Sequence, residues 1–449
     1  MSGIATRPVP RCGYGCAVID TDTARTSAVR GRFRAVFGAG AGNALEWYDW
    51  NVYAVFTTYF APQFFNSADR VSALLSTLAV FAVGFVARPF GGFLFGLLSD
   101  RRGRKFAMTL SIGLAALGSL VIGFAPSYAR VGALASVILL LARLIQGLAH
   151  GGELPSAQTY VAEYAPAQRR GLWSSLIYVS GTLGNLLGTV LAAVLAATLS
   201  DTQMSEFGWR IPFLLGGVFG LYVLFMRLRM TETATFTSDV GSTKPRMWPL
   251  LVANRAAVVK VIGLTAGFTV VYYVWSVSQT AHAISARGID ERSAFWAGVV
   301  GNGVFVLTLP LWGKLSDRVG RKPMLLTGLL ATAALVFPLD AIIGHSAVLL
   351  GVSMSLAMLL IGMYASILPA VYAELFPTKV RTVAVGIPYS ITVAAFGGTA
   401  PYLQELIGTT LDSAWFTGYT VLLLLISAAV VLRIPETRGA RLDETGSGT

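Results

Sequence analysis

Apolar runs long enough to cross about 30 Å of hydrocarbon recur along the chain, separated by short polar stretches. Helical spans are predicted near 36–64, 71–98, 106–125, 131–161, 171–199 and 209–228, and again near 257–284, 293–313, 323–343, 347–372, 383–408 and 413–432. The stretch 229–256 between the two sets is polar. The pattern predicts an all-α polytopic membrane protein with 12 transmembrane helices, which returns both chain ends to one side.

Composition agrees. Of 449 residues, 55% are hydrophobic and 12% charged, against roughly a quarter charged in a soluble domain, which excludes a disordered chain and argues against a soluble enzyme. The net charge of +12 raises the question of nucleic acid, and the placement of the charge answers it. Arg and Lys gather in the first 35 residues and in 101–105, 169–170, 227–260, 314–322, 379–381 and 433–441. These are the tails and the alternate connections. By the positive-inside rule both tails and the 229–256 stretch are cytoplasmic, so the basic charge is topological and no nucleic-acid partner is expected. The opposite side holds Arg70, Arg130, Arg210, Arg287 and Arg292, and Arg88 and Arg143 lie inside spans. The N-terminal stretch lacks the apolar core of a signal peptide. Its Cys12 and Cys16 sit in a reducing compartment with no His nearby, so neither a disulfide nor a metal site is expected.

The chain repeats itself. Gly96-Leu-Leu-Ser-Asp100-Arg101-Arg102-Gly103-Arg104-Lys105 returns as Gly313-Lys-Leu-Ser-Asp317-Arg318-Val-Gly320-Arg321-Lys322, and Glu163-Tyr-Ala-Pro166-Ala-Gln-Arg-Arg170 returns as Glu374-Leu-Phe-Pro377-Thr-Lys-Val-Arg381. Six spans bring the chain back to its starting side, so the two copies share one orientation, a parallel repeat about the membrane normal. The expected organisation is a cytoplasmic tail at 1–35, a six-helix bundle at 36–228, a cytoplasmic linker at 229–256, a second six-helix bundle at 257–433 and a cytoplasmic tail at 434–449.

The repeated Gly-x-x-x-Asp-Arg-x-Gly-Arg-Lys loop resembles the signature of the major facilitator superfamily. Further motifs narrow the resemblance to its metabolite:proton symporter family: Gly42-Asn43 with Glu46-Trp47-Tyr48-Asp49-Trp50 and Tyr53, Arg88-Pro89 with Gly91-Gly92, Arg143 to Glu153, Gly208-Trp209-Arg210 with Pro212, and Phe396-Gly397-Gly398-Thr399-Ala400. The runs Leu140–Gly152 and Val380–Tyr402 are most similar to the alpha-ketoglutarate permease branch. The resemblance implies a secondary active transporter in the cell inner membrane that imports a small organic acid with protons by alternating access. Sister branches carry shikimate, citrate, or proline and betaine, so an osmolyte:proton symporter is the alternative. His150 and Leu154-Pro155 depart from the family pattern, where the His150 position is usually small and apolar.

In the repeated loops, Asp100, Arg101, Arg104, Asp317, Arg318 and Arg321 are candidates for a conformational latch, with a carboxylate resting against a helix N-terminus across the bundle interface. The plainer reading of the basic residues is that they hold topology. Glu163 with Arg170, and Glu374 with Arg381, are expected to pair within their own loops and to open as the bundles rock.

A charged side chain at mid-membrane costs on the order of 3 kcal/mol even on the mild insertion scale. Arg88 lies roughly 18 Å along its helix from Asp100, near the midplane, and Arg143 reaches a similar depth. Two guanidinium groups at one depth form a candidate carboxylate site; the other reading pairs them with Glu46, Asp49 and Glu153 as internal ion pairs. Asn43, Glu46, Trp50 and Tyr53 fall on one face of the first helix, and Asp49, Glu46 and Glu153 are the proton-carrier candidates. On the seventh span Tyr272, Trp275, Gln279 and His282 have the same spacing and are expected to line the central cavity. Arg88, Arg143, Tyr53, Gln146, Tyr272, Gln279 and His282 make up the expected substrate site. His150 lies one turn from Gln146 and Glu153, where it either tunes binding or packs as a hydrogen-bonded histidine. Gly147, Gly151 and Gly152 are read as sites of close helix approach, and Gly397 and Gly398 as a hinge. An enzyme is not expected: His150, His282 and His345 are scattered, and there is no His-Glu-x-x-His, Walker loop or dinucleotide motif. No cofactor is expected, and the protein is read as a monomer whose partners are a small organic acid or osmolyte, protons and the lipid bilayer.

Overall fold

The computed structural model describes residues 21–65, 70–102, 104–151, 158, 161–163, 165–228, 252, 254–376 and 381–440. Two compact units are present, Met1–Gly38 and Ala39–Thr449. The longer helices are α1 (Thr21–Phe64), α2 (Arg70–Arg102), α3 (Arg104–Phe124), α4 (Leu134–His150), α5 (Arg170–Thr198) and α6 (Arg210–Leu228). They are followed by α7 (Arg255–Arg287), α8 (Glu291–Val319), α9 (Arg321–Ala341), α10 (Ala347–Glu374), α11 in two pieces (Arg381–Thr392 and Ala400–Thr410) and α12 (Ser413–Leu432). Among the described residues nine helices are long and apolar enough to cross a membrane. The chain is an all-α polytopic membrane protein.

Three helices fall outside that group of nine, each for a physical reason. α1 carries Glu46, Asp49 and Asn51 among its Trp and Tyr residues, which lowers its hydropathy. α4 has 17 residues. α11 is interrupted by a wide turn at Val393–Gly397 and restarts with Pro401 in its first turn. α1 also begins at Thr21, well before the predicted start at 36. Helix ends carry recognisable signals: Gly288 closes α7 in the left-handed region at φ 62°, and the Asp290 carboxylate caps α8 by accepting from the Ser293 backbone N–H at 3.0 Å.

Neighbour relations follow one scheme in both parts of the chain. α3 packs on α6 and α4, and α2 on α4; correspondingly α9 packs on α12 and α10, and α8 on α10. The first six helices meet the last six chiefly where α5 packs against α8 and α2 against α11.

Lipid supplies no hydrophobic drive between helices, so close backbone approach through small residues takes its place. The α2–α4 seam is built this way. A Cβ on Gly147 would lie 2.0 Å from the Gly84 carbonyl oxygen, and one on Gly91 1.9 Å from that of Leu148. This near-contact of backbones sets Arg88 on α2 against Arg143 on α4. Gly147→Leu is therefore expected to abolish the folded protein, giving no monodisperse peak in fluorescence-detected size exclusion. Gly303→Ala, where an added Cβ meets nothing within 4 Å, should run as the wild type does.

Candidate functional site

α1, α2 and α4 bring a charged cluster into the buried centre of the first six helices. Glu46 and Arg143 are 0% exposed, Asp49 3%, His150 5% and Arg88 6%. Arg88 Nη2 lies 3.1 Å from Glu46 Oε1. Arg143 reaches Asp49 through a relay of neutral groups: Arg143 Nη1 donates to Gln146 Oε1 (2.9 Å), Gln146 Nε2 donates to Ser119 Oγ (2.8 Å), and Ser119 Oγ donates to Asp49 Oδ1 (3.0 Å). Both guanidinium groups rest against the Trp50 ring, with Cζ of Arg88 at 4.3 Å and of Arg143 at 3.9 Å from its centroid. Phe85 adds a second ring to Arg88, and Tyr53 and Phe81 add theirs to Arg143. Desolvated contacts of this kind are worth about 2 kcal/mol each, comparable with the insertion cost of the charge. Among the described residues no acceptor meets Arg143 Nε, Arg143 Nη2 or Trp50 Nε1.

Glu46 and Arg88 pair as one of the two sequence readings expected, while among the described residues Asp49 and Arg143 are joined through Gln146 and Ser119. Tyr53 turns its hydroxyl away, donating to the Thr77 carbonyl at 2.9 Å, and offers its ring to Arg143. Asn43 bonds α5 through the Ile177 carbonyl and Ser180. Glu153 lies outside the described residues.

Of the face expected along α7, Trp275, Gln279 and His282 line one pocket, and Tyr272 is turned away from them. A wide turn at Tyr273–Ser278 changes the helical phase between Tyr272 and Gln279. Tyr272 accordingly faces α5 and α1, where Asn185 Nδ2 donates to its hydroxyl at 2.9 Å and Trp47 packs at 5.2 Å between ring centroids. Trp275 and Gln279 line a pocket inside the last six helices with Val336, Phe416 and Thr420. His282 borders that pocket and also a cleft shared with Ala54, Thr57, Leu74 and Leu78 of α1 and α2. Its Nδ1 lies 3.0 Å from Glu405 Oε2, and next to it Gln404 Nε2 donates to Gln279 Oε1 at 3.1 Å. Ser119, Asn185, Gln404 and Glu405 were not foreseen. Glu405 was legible as a carboxylate within a predicted span; the neutral residues carry no such signal.

The loop pairs are exchanged relative to expectation. Arg170 meets Glu374 at 2.7 Å and Arg381 meets Glu163 at 2.7 Å, so each ion pair crosses between the first and last six helices instead of closing its own loop. The reason is geometric: Arg170 opens α5, which packs on α8, while Arg381 is turned back by donating to the Ala373 and Phe376 carbonyls. Asp317 accepts from the Gly171 and Leu172 backbone N–H groups at 2.8 and 2.9 Å, placing its carboxylate on the N-terminus of α5. Arg321 holds Asp317 at 2.8 Å and approaches Glu374 at 3.7 Å, whereas Arg318 is exposed. The side chains of Asp100, Arg101 and Arg104 lie outside the described residues. Gly397 and Gly398 are tightly packed, against Tyr273 and Phe85.

Beyond α12, Glu436 clamps the start of α9 by accepting from the backbone N–H of Arg321 and Lys322 at 2.8 and 2.9 Å. Burial raises its carboxyl pKa, but these donors and Arg438 N–H outweigh that and leave it below the usual range. The clamp is thus intact at neutral pH and loosens as pH falls through that lowered value.

Comparison with known proteins adds the family. The profile described as "Sugar (and other) transporter" matches residues 35–246 and 242–447. The chain belongs to that family. The alpha-ketoglutarate permease of Escherichia coli (strain K12) is 36% identical over 435 residues, covering 95% of this chain and 99% of the permease. The ectoine/proline transporter ProP of Corynebacterium glutamicum is 31% identical over 396 residues, covering 83% of this chain and 78% of that protein. Among solved structures, the xylose transporter XylE from E. coli in a partially occluded inward-open conformation superposes with a TM-score of 0.73 at 18% identity, over 92% of this chain and 99% of that one; this likeness shows a shared fold. The family assignment makes the chain a transporter rather than an enzyme.

The carboxylate of Asp317 on the N-terminus of α5 generates a test. With Cys12 and Cys16 replaced by Ser and spin labels at the exposed positions Arg169 and Lys314, Asp317→Asn should add a longer-distance population in double electron–electron resonance. Loss of one charge-assisted acceptor, about 1.5–3 kcal/mol, corresponds to at least a tenfold shift; an unaltered distance distribution would show that the cap does not hold α5 to α8.

Proposed function

We propose that this chain is a proton-coupled symporter that imports a small organic acid, alpha-ketoglutarate or another carboxylate, by alternating access. In this reading twelve helices form two six-helix bundles, 36–228 and 257–433, related by a parallel repeat. The 229–256 linker and the tails 1–35 and 434–449 lie on the cytoplasmic face of the inner membrane. The matching neighbour schemes of α2–α6 and α8–α12 support the repeat, and the distribution of Arg and Lys supports the orientation.

The observation that carries the reading is the pair Arg88 and Arg143, buried against one Trp ring with two nitrogens of Arg143, Nε and Nη2, lacking an acceptor among the described residues. A substrate carboxylate would supply those acceptors. The 36% identity to an alpha-ketoglutarate permease points the same way. Gln146 and Tyr53 position Arg143, while Tyr272, Gln279 and His282 belong to the opposing half of the site. Asp49 is the leading proton carrier, with Glu46 and Glu153 after it. An osmolyte carrier, suggested by the ectoine/proline relative, would need free aromatic faces for a quaternary ammonium. Here Trp50, Tyr53, Phe81 and Phe85 are already occupied by the protein's own guanidinium groups, which favours the organic acid.

Proteoliposome uptake decides between these. Labelled alpha-ketoglutarate should accumulate under an inward acid gradient and labelled betaine should not; accumulation indifferent to the gradient removes proton coupling, and betaine uptake alone installs the osmolyte reading. Arg88→Lys is expected to lower uptake at least a hundredfold with the protein still folded in the membrane, because an ammonium cannot replace the planar fork against Trp50 and Glu46. Asp49→Asn should lose pH-driven accumulation while retaining exchange of substrate across the membrane, and intact accumulation would reject Asp49 as the carrier.

A further inference from the structure

We propose that His150 is a proton relay between Asp49 and Glu46, its imidazole passing the transported proton one helical turn along α1. The proposal rests on the proton-coupled reading above and deepens it. The geometry is a ring held between two acids: Nε2 lies 3.9 Å from Asp49 Oδ2 and Nδ1 lies 4.0 Å from Glu46 Oε2. A packing histidine hydrogen-bonds a backbone carbonyl or a hydroxyl. In His150 each nitrogen instead lies within 4.0 Å of a different carboxylate, and Nε2 has no hydrogen-bond partner among the described residues.

A neutral imidazole carries one N–H and one lone pair, so between two carboxyl groups it accepts from one and donates to the other. The separations exceed hydrogen-bond length by about 1 Å, within the tightening expected when a site closes around its substrate. In the step, the Asp49 carboxyl O–H bond breaks and its proton joins the lone pair of Nε2. The Nδ1–H bond breaks and that proton joins Glu46 Oε2. Asp49 becomes a carboxylate, Glu46 a carboxylic acid, and the ring changes tautomer without net charge. Glu46 then delivers its proton to water on the side it opens to, where ring exchange with water restores the tautomer.

The surroundings give the step a direction and a use. Glu46 precedes Asp49 by three residues, about 4.5 Å along the helix, and in the proposed orientation it is nearer the cytoplasm. The charged and titratable groups around the relay are Arg88 of α2, 3.1 Å from Glu46; Arg143 of α4, joined to Asp49 through Gln146 and Ser119; Tyr48 beside Asp49 on α1; and Tyr273 of α7 and Tyr389 of α11, which face Arg88 and Glu46. Protonating Glu46 removes the charge that Arg88 pairs with, so the guanidinium becomes available to a substrate carboxylate. Proton transfer inward and anion binding are thereby one event.

The test uses the full chain in proteoliposomes with labelled alpha-ketoglutarate as probe. Two readouts are taken: accumulation under an inward acid gradient, and equilibrium exchange at equal pH, which needs no net proton release. His150→Gln and His150→Asn keep hydrogen-bonding capacity without a transferable lone-pair and N–H couple. Each variant that folds should lower accumulation tenfold or more while exchange in at least one of them falls less than threefold, and the pH profile of uptake should flatten. Accumulation at the wild-type level in either folded variant overturns the relay. Equal loss of exchange and accumulation in both variants overturns it too, because the ring would then only hold the site together. Failure of the underlying reading looks different: the wild-type chain itself would ignore the gradient, and both proposals would fall.

Discussion

Two guanidinium groups held at membrane depth are the constraint around which the rest of this structure is arranged. Hydrocarbon offers them no water, so every favourable contact must come from the chain. The solution combines an ion pair, Arg88 with Glu46, and a set of aromatic faces, chiefly Trp50, shared by Arg88 and Arg143. The rings do for Arg143 what a direct carboxylate partner would otherwise do, but without neutralising it. Positive charge therefore persists in the cluster, and among the described residues part of its hydrogen-bonding capacity has no partner. A fully paired cluster would be more stable and would have nothing to offer an anion.

That arrangement demands accurate placement of α2 against α4, and the glycine seam supplies it. Where Gly147 meets the Gly84 carbonyl and Gly91 meets Leu148, the two helices sit closer than any side chain would permit. Gly84 itself lies next to Trp50, and an added Cβ would come within 2.9 Å of its ring. The seam thus fixes both arginines and the ring between them, which ties helix packing directly to the chemistry of the site.

How much of this was legible in the sequence depends on whether a feature is periodic and charged or neutral and local. The spans, the repeat and the buried Arg88, Arg143, Glu46 and Asp49 stand out because charge in an apolar run is conspicuous. Ser119 and Asn185 do not, since a single hydroxyl or amide in a membrane helix has no distinguishing pattern, although each completes a network here. Tyr272 leaves the face predicted along α7 for a definite reason: a spacing of three and four residues assumes 3.6 residues per turn, and the wide turn at Tyr273–Ser278 breaks that assumption between Tyr272 and Gln279. The loop ion pairs were found with the wrong partners because sequence proximity favoured Glu163 with Arg170, whereas the packing of α5 on α8 carries Arg170 to Glu374.

Contacts between the first and last six helices are graded along their length. At one end they are ionic or carboxylate to backbone N–H, as in Arg170 with Glu374, Arg381 with Glu163 and Asp317 with Gly171 and Leu172. At the other end they are again polar, with Tyr59 donating to Glu291 and Arg292 reaching the Ala197 carbonyl. Between them the contacts are chiefly aromatic, Phe85 on Tyr273 and Trp47 on Tyr272, at 5.2 Å in each case, with Asn185 of α5 donating to the Tyr272 hydroxyl beside them. Water can replace a polar partner at little net cost, but it cannot replace aromatic packing. In the alternating-access reading proposed above, either end can part while the middle stays in contact, with these aromatic contacts as the fulcrum. The charged cluster of α1, α2 and α4 adjoins those contacts through Phe85, which touches both Arg88 and Tyr273, so in that reading a change in the charge state of Glu46 acts where a small displacement is carried furthest to both ends.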